Sequence, residues 1–324
     1  MKRISNPKDK KGIWNEFLLN EEEDYAGFLG IDISKSKDNP KIIKLLQTGL
    51  IDRIVNIVLR DKELVSNEPA KSISLGKDEH GDPRKFTWNY GSVIGMLLYL
   101  SSNSRPDIAF DVNQAAPFTH CARHSHETAI IRIAKYLKKT RDNGLHINPH
   151  NEFNLELHAD ANFAGLWNIE NPDDAICAKS GTGYILTLGG IPVTWSSKLQ
   201  TEIATSTMHA EYITLSTGMR ELLPVNNTLC HICKTFQLKR TKEAKIVKAW
   251  EDNEGALKLA SSPLVKVTPH SKHFAIKYHW FREKLTEANV VIKRVDTKFQ
   301  RADIFTKGLV GNEFSSKRKL LMGW

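Results

Sequence analysis

Residues 182–216 read TGYILTLGGIPVTWSSKLQTEIATSTMHAEYITLS. Two β-rich runs, Tyr184 to Leu188 and Ile191 to Lys198, flank the pair Gly189-Gly190. Glycine reaches the positive φ that a tight turn needs, so this reads as two antiparallel strands joined by a hairpin. A long helix is expected next, from about Thr207 to Phe236, with Glu211 in its first turns.

The same grammar continues outward. LELHADAN (155–162) reads as a strand ahead of the hairpin, and KIVKAWEDN (245–253) as a fourth strand after the helix. HFAIKYHWFREKLTEA (273–288) is a helix, NVVIKRVD (289–296) a fifth strand, and RADIFTKGL (301–309) a last short helix. Three strands in succession, then helices alternating with strands, predict a mixed five-stranded α/β sheet with flanking helices rather than a doubly wound parallel one.

Four acidic residues stand where these elements should meet the sheet. Asp160 lies on the first strand, Glu211 on the long helix, Asp252 at the end of the fourth strand and Asp303 at the start of the last helix. A single aspartate at a strand end commonly caps a turn. Four converging carboxylates would repel one another unless cations joined them. Hard oxygen ligands suit magnesium or manganese, and a pair of such ions is a common device for cutting phosphodiesters.

The chain has 324 residues, 40% of them hydrophobic, which suits about two domains. Its formal net charge of +9 favours a polyanionic partner, either nucleic acid or an acidic membrane surface. Four cysteines in such a length suit a reducing, intracellular setting. No apolar run reaches the roughly 18–20 residues that span a bilayer. The basic N-terminus, MKRISNPKDKKG, lacks the apolar stretch of a secretory signal.

The first half reads as mostly helical. A short strand at 28–33 precedes IIKLLQTGLIDRIVNIVLRD (42–61), whose apolar residues fall at helical spacing. Residues 61–87 are loop-like. Helices are expected at 90–102, 107–118 and 125–140, the first broken by Arg105-Pro106.

These segments carry a family resemblance. The run 182–216, with HADANFAG, EDNEGALKLA, TPHSKHFAIKYHWFREK and QRADIFTKGL, resembles the ribonuclease H domain of copia-type retrotransposons over residues 150–312. GFLGIDIS, YGSVIGMLLYLSSNSRPDIAFDVN and HETAIIRIAKYLKKT resemble the end of the palm, the thumb and the connection of the same family's reverse transcriptase. The resemblance divides the chain into a partial reverse transcriptase (1–149), a ribonuclease H-like domain (150–312) and a tail (313–324). The family's Tyr-x-Asp-Asp polymerase hairpin does not occur here, so no polymerase activity is expected. Thumb-like helices without their palm are expected to leave apolar faces uncovered.

The resemblance implies a role for each acid. Asp160, Glu211, Asp252 and Asp303 match the family's catalytic and metal-ligating positions, holding two Mg2+ or Mn2+ ions. Ala159 replaces a Ser or Thr that usually precedes the first aspartate. Asn162 and Ala275 stand where many relatives have acids, and both are read as outside the metal set. The implied reaction is endonucleolytic cleavage of the RNA strand of an RNA–DNA hybrid, leaving a 5′-phosphate and a 3′-hydroxyl. RNA would be chosen through its 2′-hydroxyls. The alternative is an inactive remnant that binds nucleic acid. Implied partners are the hybrid and upstream reverse transcriptase and integrase parts of one polyprotein, in a cytoplasmic particle or the nucleus, with no membrane.

Weaker signals surround these. His270, Lys272, His273 and Arg282 could contact substrate or shuttle protons, or serve as helix-capping and surface groups. Cys230 and Cys233 read as thiols on a helix rather than zinc ligands. Trp195 and Trp250 read as core residues, leaving Trp167 for contact with a base.

Overall fold

The computed structural model describes residues 27–36, 39–60, 63–148, 153–167, 169–261 and 272–324, except for the side chains of Ser261 and residues 272–279. In the first half, β1 (Gly27–Phe28), β2 (Ile31–Lys35), β3 (Ile43–Leu46) and β4 (Leu145–Ile147) form an antiparallel sheet in chain order. Helices α1 (Thr48–Leu59), α2 (Tyr90–Asn103), α3 (Ala109–Ala115) and α4 (His124–Lys139) accompany it.

The stretch read as one helix over 42–61 is therefore divided at Gln47. Its first part pairs in register with β4, Leu45 opposite Leu145, and Gln47 accepts a hydrogen bond from the Ser104 hydroxyl at 2.7 Å. Short apolar runs satisfy either period, and tertiary pairing decides between them. The break after α2 falls as expected. Arg105 is fully buried there, binds Asp107 through two hydrogen bonds of 2.9 and 2.8 Å, and reaches Thr140. The Tyr136 hydroxyl donates to the same Asp107 at 2.6 Å, so one buried network ties the end of α2 to α4.

The second half contains β5 (Leu155–Asn162), β6 (Gly181–Leu188), β7 (Ile191–Leu199), α5 (Thr207–Thr235), β8 (Val247–Glu251), α6 (Glu254–Ser261), α7 (Lys272–Glu287) and β9 (Val290–Arg294). The strands lie in the order β7-β6-β5-β8-β9, the first three antiparallel and β5, β8 and β9 parallel. This is the expected mixed five-stranded α/β sheet of ribonuclease H type. Gly189 and Gly190 both have positive φ, as the hairpin between β6 and β7 requires. Gly218 lets α5 lie close on β5, because a Cβ there would stand 2.7 Å from Leu157.

Residues 313–324, set aside from sequence as a tail, fall largely within helix α8 (Gly311–Met322). Phe314, Leu321 and Met322 are buried in a cluster with Ile54, Leu97, Ile133 and Leu137 of the first half and Ile185 and Phe305 of the second. The apolar faces of α1, α2 and α4 are thus covered, by one another and by the second half. Among the described residues, no helix is long and apolar enough to cross a membrane.

Candidate active site

Strand alternation sets the positions of the acids. Leu155, Leu157 and Ala159 of β5 pack in the cluster beneath α5, so His158 and Asp160 fall on the other face. Gly183 is the register partner of Asp160 on β6. A Cβ on Gly183 would stand 2.6 Å from Thr306 and 2.8 Å from Phe305. The missing side chain admits the 3-10 turn Arg301–Phe305 close above Asp160. Thr306, just after that turn, donates its hydroxyl to Asp160 Oδ2.

Glu211 enters from α5, whose N-terminus is capped by Ser206 accepting from the His209 amide at 3.2 Å. Asp252 follows β8, the parallel neighbour of β5, and accepts from the Thr297 hydroxyl at 3.0 Å. One oxygen from each of Asp160, Glu211 and Asp252 lies within 4.8 Å of the other two. Asp160 and Glu211 are buried, and Glu211 Oε2 has no hydrogen-bond partner among the described residues.

Burial raises the Asp160 carboxyl to about 7; Lys307 opposes this and Asp303 adds to it. Burial, then the charges of Glu251 and Asp160, raise Glu211 to about 10. Carboxylates of this kind resist ionisation until a cation joins them.

Asp303 is placed differently. It is buried in the Arg301–Phe305 turn, and its two oxygens face two ammonium groups. Lys307 lies 2.7 Å from Oδ1 and Lys317 lies 2.6 Å from Oδ2. Lys307 also stands 3.3 Å from Asp160 Oδ1. Three of the four expected acids are therefore gathered, and the fourth is joined to them through a lysine.

Lys307, Lys317, Thr297 and Thr306 were not singled out by sequence, and neither was Glu251. Glu251 shares the parity of Val247 and Ala249 along β8, so it faces inward with them, fully buried. One of its oxygens accepts from the Asn253 amide at 3.0 Å, and the other has no partner among the described residues. That parity is the signal that could have found it. Burial pushes its carboxyl up to about 8, with Asp252 and Asp160 adding to the rise.

Of the weaker candidates, His270 lies outside the described residues, as do the side chains of Lys272 and His273 at the start of α7. Arg282 is half-buried on α7. The Asn162 amide donates to the Thr306 carbonyl at 3.3 Å. Trp167 is 51% exposed in the turns after β5. Trp250 stacks on His158, and Trp195 donates to the Ser101 carbonyl at 2.8 Å, both at least partly buried. All four cysteines are free thiols, and Cys233 packs in the cluster beneath α5.

A mixed sheet of this order, with acids from β5, α5 and the end of β8 brought together, defines a ribonuclease H-like α/β protein. No family model matches the sequence. Curated relatives do. The chain is 29% identical over 306 residues to the retrovirus-related Pol polyprotein from transposon RE1 of Arabidopsis thaliana, covering 93% of this chain and 19% of that one. It is 28% identical over 301 residues to the corresponding polyprotein from transposon TNT 1-94 of Nicotiana tabacum, covering 90% of this chain and 21% of that one. Its homologues are retrovirus-related Pol polyproteins from copia-type transposons, and the chain spans about a fifth of the length of these relatives. Among solved structures it is similar to LC11-RNase H1 in complex with an RNA/DNA hybrid, at 17% identity and TM-score 0.31, covering 46% of this chain and 91% of that one. It is also similar to an N-terminal RNase H domain from Mycobacterium tuberculosis, at 11% identity and TM-score 0.32, covering 52% and 97%.

Proposed function

We propose that the second half of the chain is a divalent-cation-dependent nuclease that cleaves the RNA strand of RNA–DNA hybrids, and that the chain has no polymerase activity. The observation that carries this reading is the gathering of Asp160, Glu211 and Asp252 within 4.8 Å, two of them buried and one with an orphaned oxygen. Buried carboxylates in contact are costly without a cation, and an all-oxygen donor set fits magnesium or manganese. These three residues would hold such an ion through one oxygen each. Bound there, it would supply positive charge to the attacking water and to the phosphodiester.

The chain's own groups prepare the site. The Thr306 hydroxyl fixes Asp160, and the Thr297 hydroxyl fixes Asp252. The sheet and α5 keep Asp160 and Glu211 out of bulk water, so their charges act in a weakly screened setting. The net charge of +9 supplies affinity for a polyanion, which should fall steeply with added salt. The pair of ions implied by the family resemblance would also call on Asp303, whose oxygens already face lysines.

The test is cleavage of a labelled RNA–DNA hybrid by the full chain with magnesium. Asp252→Asn should reduce cleavage at least about 100-fold, as loss of a group acting directly on the transition state does. Cleavage unchanged in Asp252→Asn would remove this site from the reaction. Hybrid binding with background cleavage in both magnesium and manganese would leave a binding remnant instead.

A further inference from the structure

The site contains a fixed positive charge where a second metal ion would be expected. A second ion of the kind the family resemblance implies would share Asp160 with Asp303, the fourth acid of that set. Each oxygen of Asp303 is already within 2.7 Å of an ammonium group. Lys317 is 3% exposed, and its ammonium also donates to the carbonyls of Gln300, at 2.8 Å, and Thr297. An ammonium has three N–H groups, and these three acceptors use them all. Lys317 is therefore committed to Asp303, and neutralises it from inside the protein.

That leaves Lys307 for Asp160. Its ammonium spans the two acids, 2.7 Å from Asp303 and 3.3 Å from Asp160. Its side chain is 41% exposed, so a phosphodiester arriving from solvent could reach it. A divalent ion between the same two oxygens would meet an ammonium at contact distance, and like charges so close repel strongly in a buried setting.

Resting on the nuclease reading above, we propose that this site takes one divalent cation, held by Asp160, Glu211 and Asp252, and that the Lys307 ammonium supplies the second positive charge. Lys307 would contact the phosphate directly and hold Asp160 toward the ion. It would do so as a point charge that neither leaves nor exchanges, so the site would need only one ion from solution.

The experiment counts Mn2+ bound to the full chain by the loss of the free-ion paramagnetic resonance signal, with hybrid cleavage measured in parallel. The wild-type chain should bind one ion at the site. Lys307→Met should bind two, because it frees the Asp160–Asp303 edge, and Lys307→Arg should stay at one. Asp252→Asn should weaken the wild-type site at least tenfold, which ties the count to the gathered acids. Two ions in the wild type would overturn the inference while leaving the nuclease reading intact. One ion in both the wild type and Lys307→Met would overturn the role given to Lys307. No ion in the wild type, with no cleavage, would remove both. The wild-type count decides the first point even if a variant fails to fold.

Discussion

The two faces of the five-stranded sheet are closed by different means. Beneath α5, the face is lined by Leu157, Ala159, Tyr184, Leu186, Val247 and Ala249, and its neighbours Tyr212, Leu215 and Phe281 come from the same half. The opposite face presents Ile185, and above it lie Ile304, Phe305 and Leu309. These pack in one cluster with Val93, Leu97, Val112 and Ile133 of the first half. Side-chain contacts repeat the join. Tyr136 meets Phe314 edge-on, with ring centroids 5.6 Å apart, and the Trp324 indole donates to the Gly144 carbonyl at 2.7 Å. Glu211 depends on the self-contained face, whereas Asp160 and Asp303 depend on the shared one. The site is assembled by both halves even though all its acids come from one.

The sharpest way to break this comparison is to separate the halves. Residues 150–312 alone lack α8 and the first-half side chains, so Ile185, Ile304, Phe305 and Leu309 would face water. Full burial of each such side chain contributes about 1.5–3 kcal/mol, and together they rival the stability of a whole domain. The full chain should melt cooperatively, and the piece should show no cooperative transition by calorimetry. A piece that melts near the full chain's temperature would show that the shared face is not needed.

Next in size is the ion pair on the shared face. Asp303→Asn leaves the buried Lys317 ammonium without its carboxylate, which should cost about 3–5 kcal/mol in urea unfolding, and Lys317→Met, which leaves Asp303 paired with Lys307, should cost less. The double variant should recover much of that loss, since replacing a buried pair by apolar groups is often neutral. A double variant no better than the singles would show that the pair does more than cancel charge.

The smallest effect belongs to the self-contained face. Glu251 has a carboxyl raised to about 8 by burial, against an ordinary value of 4.5. The folded chain therefore holds this proton more tightly than the unfolded chain. Its contribution is fully present below about pH 4.5 and is lost as pH rises toward about 8. Without divalent cation, the melting temperature should fall across that window, and less steeply in Glu251→Gln. At neutral pH that variant should be the more stable of the two, since it takes up no proton on folding. An unchanged slope would show that Glu251 does not carry the effect.

Much of the self-contained face was legible in the sequence, because each of its elements keeps one period. Tyr184 to Leu188, the Gly189-Gly190 turn and the α5 pattern each admit one reading, and motifs around Asp160, Glu211 and Asp252 mark the acids. The shared face was not legible in the same way. Phe314, Leu321 and Met322 sit in a charged helix whose apolar residues are few, so α8 looked like a tail. Lys317 finds Asp303 only once that helix folds back, a contact with no local signature. Gln47 separates a strand from a helix inside one apolar run, where pairing with β4 decides. Glu251 could have been read from parity but was masked by its neighbour Asp252.

The pairing of Lys317 with Asp303 bears on how copies of this gene age. A nonsense mutation anywhere from codon 304 to codon 317 spares all four acidic codons yet deletes the lysine that neutralises Asp303. A census of elements that scores only the acidic codons would count such a copy as intact. Reading frames should instead be required to continue through α8 before a copy is counted as able to build this site.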